Sequence, residues 1–328
     1  MAYYEREKQI AIEAVTLASR LCSAVRAEIV GVGSLAKDDK SPVTIADFGS
    51  QALVCHHVQA GFPRDPIVGE EDSADLQKPE HASTLAQVVR YVRRFQPDAT
   101  AESVCRWIDA GNGQVGTRFW ALDPIDGTKG FLRNDQYAIA LALIENGQVQ
   151  VGVLGCPALP LDVDSPSSGT GVVFVAVRGE GAAMAPLGAA AFAPIHVIHA
   201  PDRSRLRFVE SVEADHGNAA LQRAVARAAG ITEPPLRMDS QVKYGAVARG
   251  DAALYLRLPS TKNPDYREKI WDHAAGALIV EEAGGRVTDM HGRPLDFASD
   301  YKMNANRGVI ASQGALHQAA IEALRETR

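Results

Sequence analysis

Residues 137–156 restrict the fold more than any other stretch. Tyr137–Glu145 and Gln148–Cys156 are both β-rich, with Asn146-Gly147 between them. An Asn-Gly pair supplies the two positive-φ residues of a tight hairpin, so an antiparallel strand pair is predicted here. Arg118–Asp123 (RFWALD) reads as a strand running straight into a turn, and Val172–Val177 as another, after a Ser-, Pro- and Gly-rich loop at 165–171. Ile10, Ala14, Leu17, Leu21, Val25 and Ile29 recur at helical spacing, so a long amphipathic helix opens the chain and Gly31 and Gly33 stop it. Further helices are expected over about Asp47–Gln59 and Thr84–Phe95. The Ala/Pro-rich stretch Gly181–Pro201 reads as a linker. Beyond it, strands at 207–211, 252–258 and 309–312 alternate with helices at 218–229, at 273–283 and from Ala315. The expectation is an α/β (α+β) sandwich of two sub-domains, 1–200 with the antiparallel sheet and 201–328 with the αβ alternation.

Of the 328 residues, 46% are hydrophobic and 23% charged, enough for a substantial core and unlike a disordered chain. A net charge of −6 argues against a nucleic-acid polymer as partner. Cys22, Cys55, Cys105 and Cys156 lie far apart with no C-x-x-C pair, which excludes a zinc ribbon or disulfide framework and suits buried thiols in a reducing compartment. Met1 to Lys8 mix both charge signs and no apolar run follows, so neither a signal peptide nor a membrane span is expected, and the chain reads as cytoplasmic.

Chemistry concentrates in Asp123-Pro124-Ile125-Asp126-Gly127-Thr128. A strand delivers Asp123, Pro124 turns the chain and Asp126 returns beside it. Two carboxylates and the Ile125 carbonyl can thus converge on one hard cation such as Mg²⁺, next to the Thr128 hydroxyl; the same residues also suit a plain Asx-type turn. Gly69-Glu70-Glu71-Asp72 follows the apolar run Pro66-Ile67-Val68, putting acids at the end of a short strand. Asp272 stands where a helix should start, ahead of the small residues Ala274, Ala275 and Gly276 that close packing would require. An N-cap is the simpler reading of Asp272, and a solvated edge that of Glu70 and Glu71. Asp47, in Ser41-Pro42-Val43-Thr44-Ile45-Ala46-Asp47, is either the cap of the second helix or a base for a metal-bound water. Acids clustered this often are costly unless cations occupy them, which favours a multi-metal site.

These segments resemble the lithium-sensitive, magnesium-dependent phosphatases of the inositol monophosphatase superfamily. The resemblance is carried by P-V-T-x-A-D at 42–47, G-E-E at 69–71, D-P-I-D-G-T at 123–128 and W-D-x-A-A-G…G-G at 271–285. Within that superfamily the chain is most similar to the 3′(2′),5′-bisphosphate nucleotidase branch, through 126–133, 136–157, Asp239–Tyr244, Tyr255–Pro259 and Lys269–Asp272. The resemblance implies a layered αβαβα fold and Mg²⁺ as cofactor. It implies Glu70, Asp123, Ile125 (by its carbonyl), Asp126 and Asp272 as metal ligands, and Asp47 with Thr128 as the pair that activates water. Ser240, Lys243, Arg257 and His216 match nucleotide-binding positions, with Thr128 and Asp272 also facing the substrate. The implied reaction removes the 3′-phosphate of adenosine 3′,5′-bisphosphate to give AMP, with 3′-phosphoadenylyl sulfate as a further substrate. The alternatives are an inositol monophosphatase, an inositol polyphosphate 1-phosphatase, or a non-enzymatic phosphonucleotide sensor. The partner expected is a small phosphonucleotide, and the chain a monomer or homodimer.

Gly111–Gly116 spells G-x-G-x-x-G, but a β-like run follows it instead of a helix, so it reads as a loop. His56-His57 lacks a partner acid at zinc spacing, His196 and His199 sit near the expected linker, and Arg90, Arg93 and Arg94 read as a solvated helix face.

Overall fold

The computed structural model describes residues 3–30, 41–199, 206–212, 218–260, 262–263 and 265–326. Five layers stack as helix, sheet, helix, sheet, helix. The outermost layer holds α1 (Glu5–Val25), α2 (Ser41–Gly61), α3 (Ala82–Val92) and α4 (Ala101–Asp109). In α1 the buried residues Ala11, Ala14, Val15, Ala18, Leu21, Cys22 and Val25 form one stripe that faces α2 and the first sheet.

That sheet has seven strands in sequence order: β1 (Ile67–Gly69), β2 (Arg118–Asp126), β3 (Ala138–Glu145), β4 (Gln148–Pro160), β5 (Thr170–Val177), β6 (Gly181–Pro186) and β7 (Ala193–Ile195). All neighbours are antiparallel except β1 and β2, which run parallel. The β3–β4 hairpin turns at Asn146 and Gly147, whose φ values of 53° and 75° are those the sequence predicts. Strand alternation divides β3 between two cores: Ile139, Leu141 and Leu143 join the outer helices, whereas Ala138, Ala140 and Ala142 face inward. Those alanines make room for the middle layer, α7 (Val242–Ala248) and α8 (Ala274–Glu282). A Cβ on Gly276 of α8 would lie 2.5 Å from the Tyr244 ring, so the small residues at 274–276 serve the close packing expected of them.

The second sheet, in order β11-β12-β10-β8-β9, joins β8 (Phe208–Glu210), β9 (Leu236–Arg237), β10 (Leu254–Arg257), β11 (Arg286–Thr288) and β12 (Val309–Ser312). Helices α6 (Ala219–Ala228) and α9 (His317–Glu326) cover its far face. The layered α/β expectation holds.

Several local expectations do not. The expected linker at Gly181–Pro201 supplies β6 and β7, which extend the large sheet by pairing on β5 and then on each other. Helix α2 begins at Ser41, not near Asp47, because a proline at the second position of a helix removes no hydrogen bond that the helix needs. The remaining minor readings are settled by contacts. His56 stacks on Trp107 at 4.1 Å and His57 meets Glu13 at 3.0 Å, both structural roles. Arg94 and Arg90 are not a bare face, since both reach Glu28, at 2.5 and 3.4 Å. The Gly111–Gly116 loop hydrogen-bonds to β1 through Gly69 N–H to Gly111 O (2.7 Å) and Gly113 N–H to Ile67 O (2.8 Å). All four cysteines are buried and unpaired.

Candidate active site

Because β1 and β2 are parallel neighbours, with Gly69 opposite Leu122, their C-terminal ends open on one edge of the sheet. This puts Glu70 beside the end of β2. There Asp123 pairs with Ala140 and Asp126 with Ala138, three steps against two, so the strand carries one extra residue. Such a bulge re-aims side chains at a strand end. The predicted turn is therefore a kink inside a strand that continues through Asp126. Ser50 Oγ donates to the Pro124 carbonyl at 2.8 Å and fixes the kink against α2. Gly127 then adopts φ 92°, and Thr128 opens the short helix α5 (Thr128–Leu132). A Cβ on Gly127 would lie 2.9 Å from the Ser240 Cβ, so glycine serves both the conformation and the contact.

A cavity of about 540 Å³ lies against this edge, lined by Glu70, Asp126, Thr128, Ser240, Lys243, Arg257 and Asp272, with Tyr266, Glu268 and His273 among the others. Asp123 and Asp47 are buried at 2% and 7% exposure. Asp47 sits in the second turn of α2, not at its cap, close enough to Glu71 and Glu70 for their charges to act on it. Asp272 is not an N-cap either: that position belongs to His273, and Asp272 Oδ2 accepts from the Lys269 N–H at 3.4 Å. Among the three acids after β1, Glu70 faces the cavity while exposed Asp72 Oδ1 accepts from Ala74 N–H (2.9 Å) in a local turn. Residue 216 lies outside the described residues.

The acids crowd one another. Burial, then the charges of Glu70 and Asp126, raise the Asp123 carboxyl well above the ordinary range. Asp47 rises likewise through burial, Glu71 and Glu70. Glu70 is open to solvent within the cavity, yet confinement there and the charges of Asp272, Glu71 and Asp126 push it up to about 8. Burial lifts Asp272 to about 6 against the pull of His273 and Arg257. Asp123 Oδ1, although buried, has no hydrogen-bond partner among the described residues. A hard divalent cation answers both features, supplying charge to the cluster and a ligand partner to that oxygen, so these residues fit Mg²⁺.

The same cavity also carries cations. Lys243 is 2% exposed, and burial lowers its ammonium to about 8 even though Asp126 favours the charged form. Arg257 Nε donates to Glu268 Oε2 at 2.7 Å, and that carboxylate keeps the guanidinium charged. Burial would raise Glu268, but Arg257 and His273 outweigh it and hold the acid at about 2. His273 Nε2 lies 3.2 Å from Glu268, and its Nδ1 lies 2.6 Å from the Tyr244 hydroxyl. Ligand atoms of Glu268, Asp272 and His273 come within 4.8 Å of one another. Glu268 is nevertheless engaged by Arg257, so this group reads as the anchor of Arg257 more than as a second cation cradle. Ser240 has φ 63°, an uncommon conformation for a non-glycine residue, and its Oγ accepts from Val242 N–H at 3.2 Å.

Some of these contributors had no sequence signal. Glu268 and His273 flank the Trp271-Asp272 signature without a pattern of their own. Gln51 of α2 accepts from Glu71 N–H (3.1 Å) and donates to Ile108 O (3.0 Å) and to Glu71 O, holding the segment that carries Glu70. Gln241 similarly joins Asp126 to the start of α8.

A strand-end acid cluster sharing its cavity with a lysine and an arginine, within five αβαβα layers, is the architecture of a metal-assisted phosphatase class. The chain belongs to the inositol monophosphatase family, whose model matches residues 4–328. At finer grain it is 45% identical to the 3′(2′),5′-bisphosphate nucleotidase of Schizosaccharomyces pombe, over 98% of this chain and 95% of that one. The enzyme of the same name from Emericella nidulans is 44% identical, covering 98% of each chain, and that of Oryza sativa 42%, covering 98% and 94%. The fold matches the inositol monophosphatase of Zymomonas mobilis (TM-score 0.64, 20% identity, 99% of this chain and 100% of that one). It also matches that of Anabaena (TM-score 0.63, 22% identity, 97% and 95%). Among the described residues, no helix is long and apolar enough to cross a membrane.

Proposed function

We propose that this chain is a Mg²⁺-dependent 3′(2′),5′-bisphosphate nucleotidase, releasing the 3′-phosphate of adenosine 3′,5′-bisphosphate as inorganic phosphate and leaving AMP. 3′-Phosphoadenylyl sulfate, with the same 3′-phosphate, is a second substrate. The observation that carries the reading is one cavity lined by Glu70, Asp126 and Asp272 together with Lys243 and Arg257. A bisphosphate needs both: acids that hold cations at the reacting phosphate, and fixed positive charge for the phosphate that stays.

Glu70, Asp123, the Ile125 carbonyl, Asp126 and Asp272 would hold Mg²⁺. When bound, the metal neutralises phosphate oxygens and makes water more acidic. Asp47 and Thr128 orient the attacking water, and a carboxylate oxygen of Asp47 takes its proton. Burial and the neighbouring acids make Asp47 a stronger base than an exposed aspartate. Ser240, Lys243 and Arg257 bind the 5′-phosphate, with Arg257 held in place by Glu268. The buried, unpaired thiols support a cytoplasmic location.

The test is phosphate release from adenosine 3′,5′-bisphosphate, AMP, inositol 1-phosphate and inositol 1,4-bisphosphate, each with Mg²⁺ and with excess chelator. The first should turn over fastest and only with metal. Preference for either inositol phosphate would overturn the nucleotide reading, and undiminished turnover in chelator the metal reading.

A further inference from the structure

Gln241 precedes α7 and is 2% exposed, and its N–H and both ends of its side-chain amide bond to Asp126 and to the two segments that flank Asp272. Its backbone N–H donates to Asp126 Oδ2 at 2.5 Å. Its side-chain Nε2 donates to the Trp271 carbonyl at 2.9 Å, on the peptide immediately before Asp272. Its Oε1 accepts from the Gly276 N–H at 3.3 Å, in the first turn of α8.

The Gly276 N–H is one of the donors that a helix start leaves without an internal partner. His273, the N-cap of α8, makes no side-chain cap among the described residues, so the Gln241 amide caps α8 from another element. Asp272 is therefore gripped from both sides by a single side chain, through the carbonyl that precedes it and the helix that follows it. The same residue's main chain grips Asp126, which arrives from the first sheet on a different part of the chain. The Trp271 ring also stacks on Tyr301 at 5.6 Å with planes 6° apart, a further contact on the residue that precedes Asp272.

We infer that Gln241 is a positioning residue that fixes the separation of the Asp126 and Asp272 carboxylates, and so the shape of the metal-binding site. The inference rests on the proposed role of those two acids. An amide is the side chain the place calls for. It donates to the Trp271 carbonyl and accepts from the Gly276 N–H at once, and it adds no charge to a cluster already rich in acids. A methionine of similar length would fill the space but strand both groups in a buried setting, and asparagine keeps the chemistry but falls short by one carbon.

The test compares the full-length wild type with Gln241→Met and Gln241→Asn. Melting temperature is followed while Mg²⁺ is titrated into chelator-treated protein, beside the Mg²⁺ dependence of phosphate release from adenosine 3′,5′-bisphosphate. Changing a residue that orients metal ligands typically weakens metal affinity about 10–100-fold. The Mg²⁺ midpoint should move up by that factor in both readouts for Gln241→Met, and in the same direction for Gln241→Asn. A lower metal-free melting temperature with an unmoved Mg²⁺ midpoint would show a residue that merely supports the fold and would overturn the inference, as would failure of both variants to fold. A wild type whose melting temperature ignores Mg²⁺ would instead remove the metal reading on which the inference stands.

Discussion

Arg257→Ala tests substrate choice, and its consequences can be worked through from its contacts. The side chain does two things in the structure: it faces the cavity and it donates through Nε to Glu268 at 2.7 Å. Losing a charge-assisted contact to the 5′-phosphate should cost about 1.5–3 kcal/mol, or roughly 10–100-fold in kcat/KM for adenosine 3′,5′-bisphosphate. The second loss is separate. Glu268, with a side chain 11% exposed, would be left with His273 as its ion-pair partner among the described residues, and breaking a buried ion pair from one side costs about 3–5 kcal/mol of stability. That destabilisation would blur a simple activity loss. Adding Glu268→Gln removes the stranded charge, so the double variant should recover most of the melting temperature yet keep the full loss on the bisphosphate. The assay is the ratio of kcat/KM on adenosine 3′,5′-bisphosphate to that on 3′-AMP, at saturating Mg²⁺. The ratio should fall about 10–100-fold in both variants. Equal losses on the two substrates would place Arg257 at the reacting phosphate, or make it a purely structural residue, and either result refutes the 5′-phosphate assignment.

Asp123→Asn should lower turnover by roughly a hundredfold or more, beyond what residues behind the ligands usually cost. The metal-free melting temperature should hold or rise, because the amide relieves a buried acid pressed by Glu70 and Asp126; a large drop in chelator would contradict this account of the cluster. In chelator the protein should lose stability as pH rises from about 4.5 through about 8. Glu70 and Asp272 titrate higher folded than unfolded, so their protonated forms favour the fold at low pH and their ionisation opposes it. Saturating Mg²⁺ should flatten that slope, and melting curves across pH with and without metal would reveal it. His317 acts in the opposite sense. Its Nε2 and Nδ1 meet Thr288 Oγ1 at 2.8 Å and Ser312 Oγ at 2.9 Å, and burial lowers it to about 4. Its neutral form therefore contributes stability at neutral pH that is lost as pH falls from about 6.5 through about 4, on the order of 3 kcal/mol. His317→Gln should flatten the acid limb of a pH–stability curve, and an unchanged limb would assign acid sensitivity elsewhere.

How much of this was legible in the sequence follows from what each element depends on. Asn146-Gly147 specified its hairpin because two positive-φ residues in a row have few other uses. The small residues at 274–276 announced close packing, and Gly276 against Tyr244 is that packing. Helix α7 was missed because Val242 to Ala248 is buried throughout, so no polar face interrupts the pattern at helical spacing. Helix α4 was missed because its capping box closes through Thr100 and Ser103, a weaker signal than a glutamate at the third position. Strands β6 and β7 are alanine- and proline-rich, and their pairing on β5 decides them more than their own propensity.

The site divides along the same physical line. Its carboxylates are legible because acids packed at a strand end are anomalous in charge and demand a cation. Gln51 and Gln241 hold those acids in place while carrying no charge. Nothing in a single sequence separates them from the other amides that dot a chain. Their meaning lies in what they bridge: Gln51 joins α2 to the segment bearing Glu70, and Gln241 joins Asp126 to the approach of Asp272. Neutrality is also what fits them for the task. A charged residue in either place would shift the acids it was meant to orient, so at these two positions the groups that set the geometry are ones that composition and charge patterning conceal.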